Sequence, residues 1–105
     1  MKVEIIKKTL LENLSILMDD DYKNYILVNG EKRKYDLDRF AFQVYDAVET
    51  WPQKLIDEKV LDGLAYKIVI EDKDEKFKYQ FVNEFPEGIW RLEKLIKEAL
   101  EAENV

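Results

Sequence analysis

The clearest pattern in the chain is a helical repeat of apolar residues between Asp36 and Pro52. Apolar positions recur there at intervals of three and four residues, which is typical of an amphipathic helix. Asp36 stands where an N-cap is expected, and Pro52 disfavours helical geometry at the residue before it, so the helix should end nearby. The stripe consists of Leu37, Phe40, Ala41, Val44, Ala47, Val48 and Trp51.

A second stripe of helical period follows Phe85-Pro86 near the end of the sequence. Proline is well tolerated in a first helical turn, so we expect this helix to begin near Pro86. An aromatic strand comes directly before it, which predicts a corner where the helix turns back over a sheet. The stripe consists of Ile89, Leu92, Leu95, Ile96, Ala99 and Leu100.

Strict alternation of apolar and polar residues follows Gly63 and predicts an antiparallel hairpin with one buried side. The two arms have the same period of two and are joined by a charged loop at residues 72–75. The expected buried side is formed by Leu64, Tyr66, Ile68 and Ile70 on one arm and by Phe77, Tyr79 and Phe81 on the other.

Another hairpin is predicted at Asn29-Gly30, because these residue types suit the two positive-φ positions of a type I′ turn. The arm at residues 25–28 is apolar. The return arm at residues 31–35 is mostly charged and includes Lys32-Arg33-Lys34. We expect this arm at a sheet edge, where lysines discourage pairing with other chains.

Two segments fit more than one structure. Residues 2–18 match either a helical stripe or two short alternating strands, and their β-branched residues favour the strands. Residues 53–62 suggest a packed connection with a helical turn, built on Leu55, Ile56, Val60 and Leu61.

Together these patterns predict an α+β fold formed by a single domain over residues 1–105. We expect an antiparallel sheet of about five to six strands with two main amphipathic helices packed on it. The expected order is roughly ββββαββα.

The composition excludes several kinds of catalytic and metal-binding site. The chain has no cysteine and no histidine, so His-dependent catalytic triads, thiolate zinc sites and cysteine nucleophiles are excluded. No phosphate-binding glycine loop or nucleophile motif appears. Asp19-Asp20-Asp21 is interpreted as a solvated turn. We therefore assign no catalytic residue, no cofactor and no metal site.

The net charge of −6 opposes nonspecific binding to nucleic acid or to anionic lipid. A basic protein is the partner that this charge favours, and nucleic acid is an unlikely one. The apolar runs are too short to cross a membrane, and a cytoplasmic location is the expectation.

Trp90 and Phe42 are the candidate interface residues, because each lies away from the centre of its helical stripe. Exposed tryptophan is a favoured interface anchor. The alternative is that Trp90 fills the corner after Pro86 and that the N-terminal strands cover Phe42. The sequence favours this packing alternative for both residues.

Several local motifs together resemble a loose group of small uncharacterised cytosolic α+β proteins of Firmicutes bacteria. The resemblance spans roughly residues 25–100 and implies a fold but no activity. The motifs are Asn29-Gly30, Asp36 with Phe40, Trp51-Pro52, Leu61-Asp62-Gly63, Tyr66-Lys67-Ile68, Tyr79, Asn83 and Phe85-Pro86.

The inventory of side chains favours a noncatalytic protein-binding module with an acidic, partly aromatic surface. A toxin-neutralising immunity protein and an enzyme inhibitor are concrete forms of such a module. Two alternatives stay open. One is a small enzyme that uses carboxylate, lysine and tyrosine groups in a cleft, and the other is a structural subunit that forms a homodimer.

Overall fold

The computed structural model describes residues 1–59 and 63–105, and within these ranges it contains seven strands and two helices. Val60, Leu61 and the Leu61-Asp62 motif lie outside the described residues. In chain order the elements are β1 (Lys2–Lys8), β2 (Asn13–Asp19), β3 (Tyr25–Val28), β4 (Glu31–Lys34), α1 (Leu37–Val48), β5 (Lys54–Ile56), β6 (Ala65–Asp72), β7 (Glu75–Val82) and α2 (Trp90–Glu101).

The described strands form one sheet in the order β4-β3-β2-β1-β6-β7-β5. All neighbouring pairs are antiparallel except β5 and β7, which run parallel. The predicted α+β class, the two helices and the mostly antiparallel sheet are confirmed. The strand number and order differ, since the chain follows ββββαβββα rather than ββββαββα.

The additional strand is β5, so residues 54–56 form a strand and not a helical turn; the rest of the predicted connection, at Val60 and Leu61, lies outside the described residues. Lys54, Leu55 and Ile56 pair with Gln80, Phe81 and Val82 of β7. Three residues are too few to show a period of two, so the sequence could not separate this strand from a packed connection.

Residues 2–18 form two strands, as their β-branched residues indicated. β1 lies in the middle of the sheet, where it pairs with β2 on one side and with β6 on the other. Val3 and Ile5 are fully buried, and each faces an apolar partner on both neighbours. A helix would have placed these residues on different sides, so cross-strand packing decided between the two patterns.

The β3–β4 hairpin has the predicted turn, with φ of 50° at Asn29 and 81° at Gly30. β4 is an edge strand, as expected from its charge. Its outer edge meets the C-terminal residues, because the Lys34 backbone N–H donates to the Glu103 carbonyl at 2.8 Å. The Arg33 side chain turns inward and donates to the Ala102 carbonyl at the end of α2.

Both helices pack on the same face of the sheet and run in opposite directions. Lys7 of β1 pairs with Glu93 of α2 on that face, and the apolar stripes of both helices pack against the buried side of the strands. Leu100, which was expected in the second stripe, is instead 47% exposed near the end of α2. Asp36 caps α1 by accepting hydrogen bonds from the backbone N–H groups of Asp38 and Arg39. The largest fully buried side chains are Phe40, Phe81, Ile5, Ile16, Met18, Ile26, Ile68, Ile70, Leu92, Leu95, Val3 and Val44.

α2 begins at Trp90, four residues later than predicted. Gly88 has a φ of 86°, which is incompatible with a right-handed helix, so the helix can begin only after it. Pro86 opens a turn instead of the helix. None of the described helices is long and apolar enough to cross a lipid bilayer.

Candidate aromatic cleft

An apolar cleft of about 420 Å³ lies between α1 and the β6–β7 hairpin. Its walls are aromatic on both sides, with Phe42 and Tyr45 from the helix and Phe77 and Tyr79 from β7. Ile70 and Val48 contribute aliphatic surface. Clefts of this size that are lined mainly by aromatic and aliphatic side chains are common ligand and peptide sites.

Helical geometry explains why Phe42 faces outward. It lies two residues after Phe40, which is about 200° around the helix axis. Phe40 is fully buried against the sheet, whereas Phe42 is 70% exposed. The expectation that the N-terminal strands cover Phe42 is wrong, because the hairpin beside α1 is β6–β7.

Because β5 is short, the wall of the cleft that β7 forms is accessible. β5 pairs with residues 80–82 of β7, and within the described part of the chain no strand continues this pairing along residues 75–79, which form an open edge. Phe77 and Tyr79 lie on the helix side of this open part and are only partly buried. An apolar group could therefore reach both rings without displacing a strand.

Carboxylates lie at the rim of the cleft, on α1 and near the β6–β7 turn. Asp46 and Glu49 of α1 line it directly. Burial of the ring, followed by the negative charges of Asp72 and Glu75, raises the pKa of Tyr45. The cleft is therefore apolar inside and negative at its rim, a combination that favours a partner with an apolar side chain and positive charge.

Trp90 is 60% exposed, so the expectation that it fills the corner is also wrong. Its ring lies beside the guanidinium of Arg91, at 5.3 Å from the ring centre. Trp90 does not belong to the described residues that line the aromatic cleft. The two candidate interface residues are thus both exposed, but they do not line one cleft.

Trp51 fills the corner instead. It is 7% exposed, its ring meets Phe81 edge-on at 5.5 Å, and its Nε1–H donates to the Glu87 carbonyl at 2.9 Å. α1 ends at Val48, so Trp51 lies in the turn after the helix. Its position at the end of the apolar stripe, before Pro52, was the sequence signal for this role.

A separate polar cleft of about 850 Å³ lies between the start of α1 and the end of α2. The Tyr35 hydroxyl lies 2.7 Å from Gln43 Oε1 and 3.1 Å from Glu98 Oε2, so its proton has two acceptors. Arg39 Nη2 and Gln43 Nε2 also donate to Glu98 Oε2, at 2.9 and 2.8 Å. This network ties α1 to α2.

The protonation states in this network do not suit acid–base catalysis. Burial and the neighbouring Glu98 raise the pKa of Tyr35 to about 12. Hydrogen bonds from Gln43 and Tyr35, together with the charge of Arg39, lower the pKa of Glu98 despite its partial burial. A general acid or base works best with a pKa near the working pH, and both groups are shifted away from neutrality. We interpret the network as a connection between the helices.

The acidic triplet at residues 19–21 forms a local turn. Asp21 donates its backbone N–H to the Asp19 carboxylate at 3.0 Å. Within residues 1–59 and 63–105, no three carboxylates are placed as metal ligands would be.

Comparisons with protein-family models, with curated proteins and with solved structures found no match for this chain. The resemblance to small α+β proteins of Firmicutes bacteria therefore stays a prediction.

Proposed function

We propose that this protein is a noncatalytic protein-binding module and that its aromatic cleft receives a large apolar side chain of a basic partner. The observation that supports this most directly is the joint presence of four aromatic rings and an acidic rim in one cleft. An immunity protein or an enzyme inhibitor would use such a surface, because inhibition by occlusion needs complementarity and no reactive group.

The proposed division of work within the cleft follows the usual anatomy of protein interfaces. Aromatic side chains in a partly enclosed pocket supply most of the binding free energy. Charges at the rim change the association rate and its salt dependence more than the affinity. Phe42 should therefore control dissociation, whereas Asp46 and Glu49 should control association.

A synthetic peptide with one tryptophan flanked by lysines tests the proposal. We expect a titration followed by heteronuclear NMR to perturb the resonances of residues around Phe42, Tyr45 and Tyr79. Phe42→Ala should weaken binding by about tenfold or more, which corresponds to about 1.4 kcal/mol. Trp90→Ala is the matched control, because it removes an exposed aromatic ring outside the cleft and should leave the affinity unchanged.

The charge of the rim is tested with the same peptide. Asp46→Asn combined with Glu49→Gln should slow association and flatten its dependence on salt, since surface charges are screened over about 10 Å at 0.1 M ionic strength. This double substitution leaves the four aromatic rings of the cleft unchanged. Association rates of the wild type that are equal at low and high salt would contradict a role for the rim.

The homodimer alternative makes a different prediction for the same variant. If the cleft closes a dimer, sedimentation velocity would show a dimer of the wild type and a monomer of Phe42→Ala. A wild-type dimer that Phe42→Ala dissociates would replace the proposal. Peptide binding that is weakened to the same extent by Phe42→Ala and by Trp90→Ala would also contradict it.

A further inference from the structure

The face of the sheet opposite the helices is positively charged, whereas the rim of the aromatic cleft is negatively charged. Side chains alternate along each strand, so every second strand residue points to this face, which we call the open face. Counted over the seven strands, the open face has eight lysines and three carboxylates. The lysines are all exposed, and they are Lys2, Lys8, Lys32, Lys34, Lys54, Lys67, Lys76 and Lys78.

This excess of lysine does not follow from the composition. The chain has 17 basic and 23 acidic residues, so the remainder of the chain holds nine basic and twenty acidic ones. A face with average composition would be acidic. The three carboxylates of the open face, Glu4, Asp19 and Glu71, are partly buried. Lys76 pairs with Glu71 at 3.4 Å, and Lys34 pairs with Glu103 of the C-terminal segment at 3.8 Å, so an excess of positive charge is left on the open face after these pairs.

One row across the sheet shows how the open face is arranged. The strand register aligns Lys32, Leu27, Leu17, Glu4, Val69 and Lys78 from β4 to β7. Strands lie about 4.8 Å apart, so the two lysines at the ends of the row are about 24 Å apart. The middle is mainly aliphatic, and Ile6 of β1 extends it on the same face.

This row resembles a section through a protein interface, with apolar groups at the centre and charged groups at the ends. In the rows beside it, Lys67 is the register partner of Ile6, and Lys2 is that of Asp19 and Glu71. The open face does not suit single-stranded nucleic acid, which binds through stacking on exposed aromatic rings. Among the strand residues of the open face, Tyr25 is the aromatic one. Its ring is already covered by Tyr22 at 4.6 Å and by the Lys32 ammonium at 4.7 Å.

We propose that the open face is a second docking surface and that its partner is an acidic protein surface with aliphatic side chains at its centre. Lysines beside and around the aliphatic residues pair with carboxylates of the partner, and Leu17, Leu27 and Val69 meet its aliphatic centre. The aromatic cleft lies on the opposite side of the sheet, so both surfaces can be occupied at once. This second surface does not depend on the function proposed for the cleft.

A synthetic amphipathic helix made of glutamate and leucine serves as the probe, with oligothymidylate and a glutamate-only peptide as comparisons. Lys67→Glu combined with Lys78→Glu should weaken binding of the glutamate–leucine helix by about tenfold, because two ion pairs become repulsive contacts. The matched control, Lys94→Glu with Lys97→Glu, makes the same charge change on exposed positions of α2 and should alter binding by less than about twofold.

The aliphatic centre is tested by Val69→Thr, which keeps the shape of the side chain. It should weaken binding of the glutamate–leucine helix by about threefold and leave the glutamate-only peptide unaffected. Circular dichroism of each variant establishes that the sheet is intact. Phe42→Ala should not affect any of these measurements, so this proposal and that for the aromatic cleft can fail separately.

Four results would overturn the proposal. The first is no binding of the acidic helix, and the second is an equal loss in the α2 control, which would mean that only net charge matters. The third is tighter binding of oligothymidylate, which would assign the surface to nucleic acid. The fourth is self-association of the wild type that Lys67→Glu with Lys78→Glu abolishes, which would make a second copy of the chain the occupant.

Discussion

Phe40 and Phe42 lie two residues apart in α1, and truncating each one should have very different effects on stability. Phe40 is fully buried, and its ring meets Tyr35 edge-on at 5.6 Å. Phe40→Ala should lower the free energy of unfolding by about 3–5 kcal/mol, because the lost burial is joined by a cavity that the neighbours fill only in part. Phe42 is 70% exposed, so Phe42→Ala should change the free energy of unfolding by about 0.5 kcal/mol or less.

Urea denaturation followed by circular dichroism measures both values. A domain of this size has a total stability of about 5–15 kcal/mol, so Phe40→Ala removes a large fraction of it. Phe40→Leu is the milder variant for the case that Phe40→Ala does not fold, and it should still be less stable than Phe42→Ala.

Equal losses for Phe40→Ala and Phe42→Ala would refute the reasoning. They would mean that Phe42 belongs to the core and that the aromatic cleft is closed in solution. The binding experiments depend on this result, because a loss of binding in Phe42→Ala is informative only if the fold is unchanged.

Three further predictions concern the network, the corner and the turn. Since the pKa of Tyr35 is raised from 10.0 to about 12, the folded state holds this proton more tightly. The resulting stability is present below pH 10 and is lost as the pH rises towards 12, so the unfolding free energy of Tyr35→Phe should fall less over this window than that of the wild type. In urea denaturation, Trp51→Phe should lower the free energy of unfolding by about 1–2 kcal/mol, because the hydrogen bond to the Glu87 carbonyl is lost. Trp90→Phe should lower it by less than about 0.5 kcal/mol. Equal losses for the two variants would contradict the assignment of Trp51 to the corner. Gly30→Ala should lower the free energy of unfolding by about 1 kcal/mol and the Tm by about 4–8 °C, because alanine is strained at a φ of 81°. Gly30→Asn is the matched control and should be tolerated better, because asparagine adopts positive φ more readily and a side chain at this position meets no neighbouring atom.

The features that the sequence predicted correctly depend on neighbours within a few residues. Asn29-Gly30 specifies its turn because the two residues tolerate positive φ, and Asp36 begins α1 because its carboxylate reaches the next backbone N–H groups. The β6–β7 hairpin follows from alternation alone. In each case the physical cause lies inside the segment, so no knowledge of the rest of the molecule was needed.

The features that the sequence missed depend on what each segment packs against. The predicted start of α2 at Pro86 overlooked Gly88, whose positive φ belongs to the corner that Trp51 fills. Phe42 could be assigned to the outer side of α1 from its spacing. Its place in a cleft required the position of β7 beside the helix, which no local pattern contains.

The sequence by itself determined the α+β class, two helices with their buried stripes, two hairpins and the lack of histidine and cysteine chemistry, since these follow from residue type and short-range periodicity. Only the tertiary structure decided that β1 lies at the centre of the sheet, that β5 joins it in parallel and leaves part of β7 open, and that the lysines gather on one face. The physical reason is that strand order and register depend on contacts between residues far apart in the chain, and these contacts decide which side chains share a surface.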